Sequence, residues 1–72
     1  MTGVKDILLR TKVEHIRYIN GDRKDGKAIK DLFNAFLTLH GYALITDSEY
    51  NEIYDEMYSM FVSVIENERE VK

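Results

Sequence analysis

Apolar residues recur at steps of three and four through most of this chain, the period of an α-helix rather than the alternation of a strand. The clearest stretch is 47 to 66, DSEYNEIYDEMYSMFVSVIE, in which Tyr50, Ile53, Tyr54, Met57, Met60, Phe61, Val64 and Ile65 share one side. At about 100° per residue these side chains, with Tyr58, cover roughly 160° of the helix. Glu52, Asp55, Glu56, Ser59, Ser63 and Glu66 hold the opposite side. So wide an arc exceeds what one small neighbour covers, and part of it is expected to serve association. Thr46 and Glu49 have the spacing of a capping box, which predicts a start at or near Asp47. Fraying is expected after Glu66.

Residues 27 to 40 place Ile29, Leu32, Phe33, Phe36, Leu37 and Leu39 on a broad arc, with Lys30, Asp31, Asn34 and Thr38 outside it. This second helix is expected to be the central, most buried one. Gly41 suits its C-terminal cap, because glycine enters the left-handed conformation without steric cost. The first helix, about 3 to 19, has Thr2 as its candidate N-cap and Asn20-Gly21 as its stop. Its apolar residues fall on two faces. Val4, Ile7, Leu8, Tyr18 and Ile19 lie with Thr11 and His15, while Leu9, Val13 and Ile16 form a second stripe roughly opposite. Two stripes imply two neighbours, the chain's own core and a second subunit. Two other readings stay open: a helix broken near Thr11, and a short strand over VEHIRYI, which its β-branched residues permit. Residues 20 to 26, NGDRKDG, hold two glycines and four charges and read as a solvated loop and the main hinge.

The expected fold class is therefore all-α. A single domain of residues 1–72 carries helices at about 3–19, 27–40 and 47–66, paired as a homodimer through Leu9, Val13 and Ile16 of the first helix and Met57 and Phe61 of the third. Length supports pairing, since a chain of 72 residues buries only about 60% of its unfolded surface. There is no cysteine, hence no disulfide framework and no zinc-thiolate site to staple a small fold. An apolar content of 44% is too high for an intrinsically disordered tail. The longest apolar run, Tyr42 to Ile45, is far too short to span a membrane. MTGVKDILLRTK lacks an apolar segment with a small-residue cleavage site, so no export signal is expected and the chain reads as soluble and cytoplasmic.

Charge divides the chain. Residues 1 to 39 hold eight Lys/Arg against five Asp/Glu, and residues 40 to 72 hold two against eight, so the halves carry +3 and −6 within a net −3. Opposite halves attract one another, within the fold or across a dimer, or each docks a partner of opposite sign. Glu49, Glu52, Asp55 and Glu56, with Tyr50, Tyr54 and Tyr58 at intervals of four, make the third helix the candidate partner-binding element. Tyrosine supplies a rigid amphipathic ring and methionine an adaptable apolar stem, both common at interfaces. Carboxylates on one helix face also present negative charge as a phosphate backbone does, which suits a basic nucleic-acid groove. The alternative is a nucleic-acid-binding accessory that uses Arg10, Lys12, Arg17, Arg23, Lys24, Lys27 and Lys30. A helix-turn-helix drawn from the last two helices fails, because its recognition helix would carry acids and no Lys or Arg before Arg69.

No chemistry-bearing motif survives inspection. Gly21 to Lys27 satisfies the GxxxxGK spacing of a phosphate-binding loop, but Ala28 stands where Ser or Thr would bind magnesium and two acids sit inside the loop. A calcium loop centred on Gly26 puts Gly21 and Arg23 at ligand positions and Leu32 where a bidentate acid belongs. His15 and His40 are far apart and form no ligand pair. No catalytic residue, cofactor or metal is expected, and the chain reads as non-enzymatic.

Ile29 to Phe33, IKDLF, resemble the short peptide by which bacterial replication proteins dock on the sliding clamp: a glutamine, a leucine, Ser or Asp, then Leu-Phe. Asp31, Leu32 and Phe33 match, while Ile29 replaces the glutamine and Lys30 the first leucine. Leu32 and Phe33 also lie on the expected core face of their helix. In size, compactness and lack of catalytic chemistry the whole chain resembles small phage-encoded helical proteins that bind and inhibit host replication or transcription machinery. That resemblance implies a host protein as partner, one with a DNA-binding groove such as the clamp's among the candidates.

Overall fold

The computed structural model describes residues 3–70, which form three α-helices: α1 Val4–Ile19, α2 Lys27–Gly41 and α3 Asp47–Glu70. No strand occurs among the described residues, and 13–19 continue α1 without a break at Thr11. Each helix touches the other two. Lys12 with Glu56, His15 with Ser63 and Tyr18 with Asn67 climb both chains together, so α1 and α3 run parallel. Lys30 with Glu68, Phe33 with Phe61 and Phe36 with Tyr50 run in opposite order, which makes α2 antiparallel to α3. The bundle is therefore up, down, up, as short connections between helices require. At about 1.5 Å per residue, the 24 residues of α3 account for the 38 Å long axis.

The core takes Val4, Ile7 and Leu8 from α1, Ile29, Phe33 and Phe36 from α2, and Ile53, Met57, Met60 and Val64 from α3. α2 is thus not a central helix: in a triangular bundle every helix gives one face, and Leu37 remains partly open. Ile19, assigned to the core side, is also exposed. Thr11 is the one polar residue fully buried among those described, and its hydroxyl donates to the Ile7 carbonyl at 2.7 Å, which removes the cost of its burial.

The helix ends show local chemistry at work. Thr46 and Glu49 close the expected capping box: the Glu49 amide donates to Thr46 Oγ1 at 3.0 Å and the Thr46 amide to Glu49 Oε1 at 2.9 Å. These bonds favour the charged carboxylate and hold Glu49 below the usual glutamate range. α1 stops at Asn20-Gly21 as expected, with Gly21 at φ 85° and the amides of Gly21 and Asp22 donating to the carbonyls of Tyr18 and Arg17. The same motif ends α2, with its left-handed residue two positions beyond the expected Gly41. Gly41 lies within the last turn, and Ala43 takes the left-handed conformation at φ 57° while Ala43 and Leu44 donate to His40 and Leu39. α1 begins after Gly3, which offers no side-chain cap; Thr2 lies outside the described residues. α3 runs past Glu66 because its last turns find partners: Asn67 donates to the Tyr18 hydroxyl at 2.8 Å, and Lys30 pairs with Glu68 at 2.6 Å.

Candidate interaction surface

The face of α1 opposite the core is apolar and open. Leu9 is 60% exposed, Val13 48% and Ile16 58%. Their neighbours in sequence, Leu8 and Thr11, are buried on the other side. The second stripe thus points away from the bundle and lies outside the buried core. Beside it a shallow groove of about 520 Å³ runs between α1 and α2, lined by Leu9, Arg10, Val13, Ala28 and Leu32 with Glu14 and Asp31 at its edge. The small side chain of Ala28 and the half-buried Leu32 make its far wall.

Charges around this surface are unequally spent. Glu14 receives Arg23 Nε at 2.9 Å and its second nitrogen at 3.3 Å, which holds the Glu14 carboxyl below the usual range and pins the 20–26 loop to α1. Arg17 approaches the same carboxylate at 3.9 Å. Asp31 is taken by Lys27 at 3.1 Å and Lys12 by Glu56 at 3.6 Å. Lys5 and Arg10 have no ion-pair partner among the described residues. Sequence reading named the stripe, counted Arg10 among the basic residues of the first half and gave Leu32 to the core arc, but did not name Lys5 or join these residues into one surface. The signal was available: with Leu9, Val13 and Ile16 as the seam of a heptad, Lys5, Arg10, Lys12 and Arg17 occupy flanking positions.

The residues expected to meet a partner on α3 divide. Tyr50 stacks on Phe36 with centroids 4.9 Å apart and on His40 at 3.8 Å, and burial pushes its phenol up. Tyr54 tilts against Phe33 and stacks on Tyr58, so the tyrosine stripe is largely consumed by an aromatic ladder between α2 and α3. Only Tyr58, 47% exposed, keeps a broad open face. Glu49 is committed to the capping box and Glu56 to Lys12, whereas Glu52 and Asp55 are exposed without an ion pair among the described residues.

The five residues expected at a dimer interface also divide. Leu9, Val13 and Ile16 are exposed, but Met57 is fully buried within the protomer and has no surface to offer a second copy. Phe61 is half-buried, stacked on Phe33 at 4.6 Å. The three-in-four spacing placed Met57 on the apolar arc correctly; α1 and α2 together cover the middle of that arc.

The remaining motifs resolve into packing. In IKDLF, Ile29 and Phe33 are core residues, so the segment cannot be presented as a docking peptide without unfolding α2. Gly26 of the GxxxxGK match is buried against Val64, leaving no room for phosphate at that point. Among the described residues no three His, Cys, Asp or Glu side chains come together in a way that would hold a metal ion. Nor is any helix there long and apolar enough to cross a membrane.

Known protein families, curated proteins and solved structures give no match to this chain.

Proposed function

We propose that this chain is a non-enzymatic protein-binding module that meets its partner through the outward face of α1. The observation that supports the reading is the stripe of Leu9, Val13 and Ile16, each about half exposed or more, on a helix whose other face already supplies the core. In a chain this small, three large apolar side chains in line on an exposed helix form a binding surface rather than scattered exposure. The apolar centre of this face also favours a protein over a phosphate backbone, which wants cations without a hydrophobic seam. Inhibition of a replication or transcription protein is the most concrete form of the reading, in keeping with the resemblance to small phage-encoded inhibitors.

A second reading uses α3. Glu52, Asp55 and Glu66 lie on its outer side without ion-pair partners among the described residues, and together present uncompensated negative charge to a basic groove. The two readings separate in one experiment. Proteins captured from cells by the tagged chain are compared for wild type, Leu9→Glu/Val13→Glu and Glu52→Lys/Asp55→Lys, with circular dichroism melts to show that each is folded. A captured protein lost only with the α1 variant supports the first reading; loss only with the α3 variant replaces it with the second. A shift of labelled DNA or RNA with a steep salt dependence would turn both aside in favour of nucleic-acid binding.

A further inference from the structure

We infer that the occupant of the α1 surface is an acidic amphipathic helix of another protein, which lies along Leu9, Val13 and Ile16 as a fourth helix of the bundle. The inference rests on the protein-binding reading above and adds the partner's chemistry.

Seam spacing sets the shape of the occupant. Leu9, Val13 and Ile16 stand four and then three residues apart, the step of a helix packed side by side on another. Asp6 and Asn20 bound the seam at either end, so its apolar part is about two turns long. The groove walled by Ala28 and Leu32 continues the apolar surface toward α2 and gives the incoming helix a second contact. A four-helix bundle is the arrangement that covers such a face with short, regular elements.

Charge selects the occupant's composition. Four of the five flanking positions of the seam, Lys5, Arg10, Lys12 and Arg17, are basic, and the fifth is the exposed Ile19. A second copy brings the same residues against them. Packed antiparallel with Val13 on Leu9, it sets Arg10 against Arg10 and Lys12 against Lys12; with Val13 on Ile16, it sets Arg10 against Arg17; packed parallel, it sets Lys5 against Arg10 and Lys12 against Arg17. Like charges at flanking positions reject a pairing. Docking α1 of one copy on the outer side of α3 of another joins opposite charges, but that side offers Ser48, Asn51, Asp55, Ser59 and Glu66 around a lone Val62 and no seam. A foreign helix with Leu or Ile at its seam and Glu or Asp at its flanks satisfies both the apolar and the charge requirement. Lys5 and Arg10 meet it uncommitted, since neither is engaged within the described fold.

The test uses the full 72-residue chain and two dye-labelled synthetic helices with Leu and Ile at the seam positions, one with Glu at every flank and its twin with Lys. Fluorescence anisotropy is expected to show the Glu peptide binding at least tenfold more tightly than the Lys twin, with affinity falling as salt screens the flanks. Leu9→Glu/Val13→Glu is expected to abolish binding while retaining a cooperative melt. Lys5→Glu/Arg10→Glu, which breaks no ion pair, is expected to reverse the preference between the peptides. Equal binding of both peptides, or of neither, overturns the acidic-helix assignment. If neither binds while Leu9→Glu/Val13→Glu still releases a captured cellular protein, the protein-binding face stands and only the partner's chemistry falls. A dimer in sedimentation equilibrium that Leu9→Glu dissociates gives the face to a second copy. Tight binding to phosphatidylserine vesicles that the Glu peptide does not displace gives it to a membrane surface.

Discussion

Gly26 and Val64 sit so close that a Cβ built on Gly26 would overlap the Val64 side chain, lying 2.9 Å from Cγ2 and nearer still to Cγ1. The backbone of Gly26, at φ −96° and ψ 24°, is open to any L residue. Glycine is needed here for space, because it lets the end of the 20–26 loop lie flat on α3 just where α2 begins.

Gly26→Ala is therefore expected to destabilise the fold by roughly 1 to 3 kcal/mol through overpacking, since a β-branched side chain on a helix has little freedom to turn away. Val64→Ala removes the obstructing methyls. The double variant is expected to lose less than the sum of the two single losses, by about 1 kcal/mol in a double-mutant cycle. Urea unfolding of the four proteins measures this, and strict additivity would show that the contact has been misjudged.

The end of α2 holds a misplaced glycine. Gly41 lies in a helical turn, where an added Cβ meets nothing within 4 Å, while Ala43 holds the left-handed conformation at φ 57°. Gly41→Ala is expected to raise stability by about 0.5 to 1 kcal/mol. Ala43→Gly is expected to add a similar amount by relieving the Cβ against its carbonyl. Each kcal/mol corresponds to about 4 to 8 °C in melting temperature for a domain of this size. Thermal melts that move down for either variant would contradict the capping geometry described above.

That exchange of roles shows where sequence reading runs short. Asn20-Gly21 and the Thr46/Glu49 box were legible because each is complete within four residues, and the helical period was legible because it repeats. Gly41 and Ala43 were not separable, since a left-handed residue at either position closes the helix with the same pair of backbone bonds. The period likewise gives a face without saying what covers it. Met57 and Leu9 are both on apolar stripes, yet α1 and α2 bury the first and nothing in the protomer buries the second. The last turns of α3 depend on Tyr18 and Lys30, residues far away in the chain, and so were read as fraying.

Acid is expected to weaken the fold through two glutamates. Glu14 is held below the usual range by hydrogen bonding to Arg23, and Glu49 by the amide and hydroxyl of Thr46. In both the folded state binds fewer protons than the unfolded chain, so stability rises with pH across the window between the two values. Their contribution is full above the unfolded glutamate value of about 4.3 and is lost as pH falls through the lowered folded values. Urea midpoints followed from about pH 6 to about pH 3 are expected to fall less steeply in Glu14→Gln and Glu49→Gln than in wild type. Parallel curves would mean that neither carboxylate is held as described.

Leu8 and Leu9 offer the sharpest test of which way α1 faces, because adjacent residues on a helix point about 100° apart and these two are 9% and 60% exposed. Leu8 packs in the core with Val4 and Ile7, so Leu8→Ala is expected to cost about 2 to 4 kcal/mol from lost burial and the cavity left behind. In a bundle of this size that loss approaches the whole stability. Leu9→Ala removes a side chain that is 60% exposed and lies outside the core cluster, and its effect on unfolding is expected to stay within about 0.5 kcal/mol. Binding should follow the opposite order. Leu9→Ala is expected to weaken capture of the partner helix with the melt unchanged, whereas Leu8→Ala, measured at low temperature where it remains folded, is expected to bind as wild type. Equal destabilisation by both variants would place Leu9 in the core and remove the outward seam on which the binding face depends.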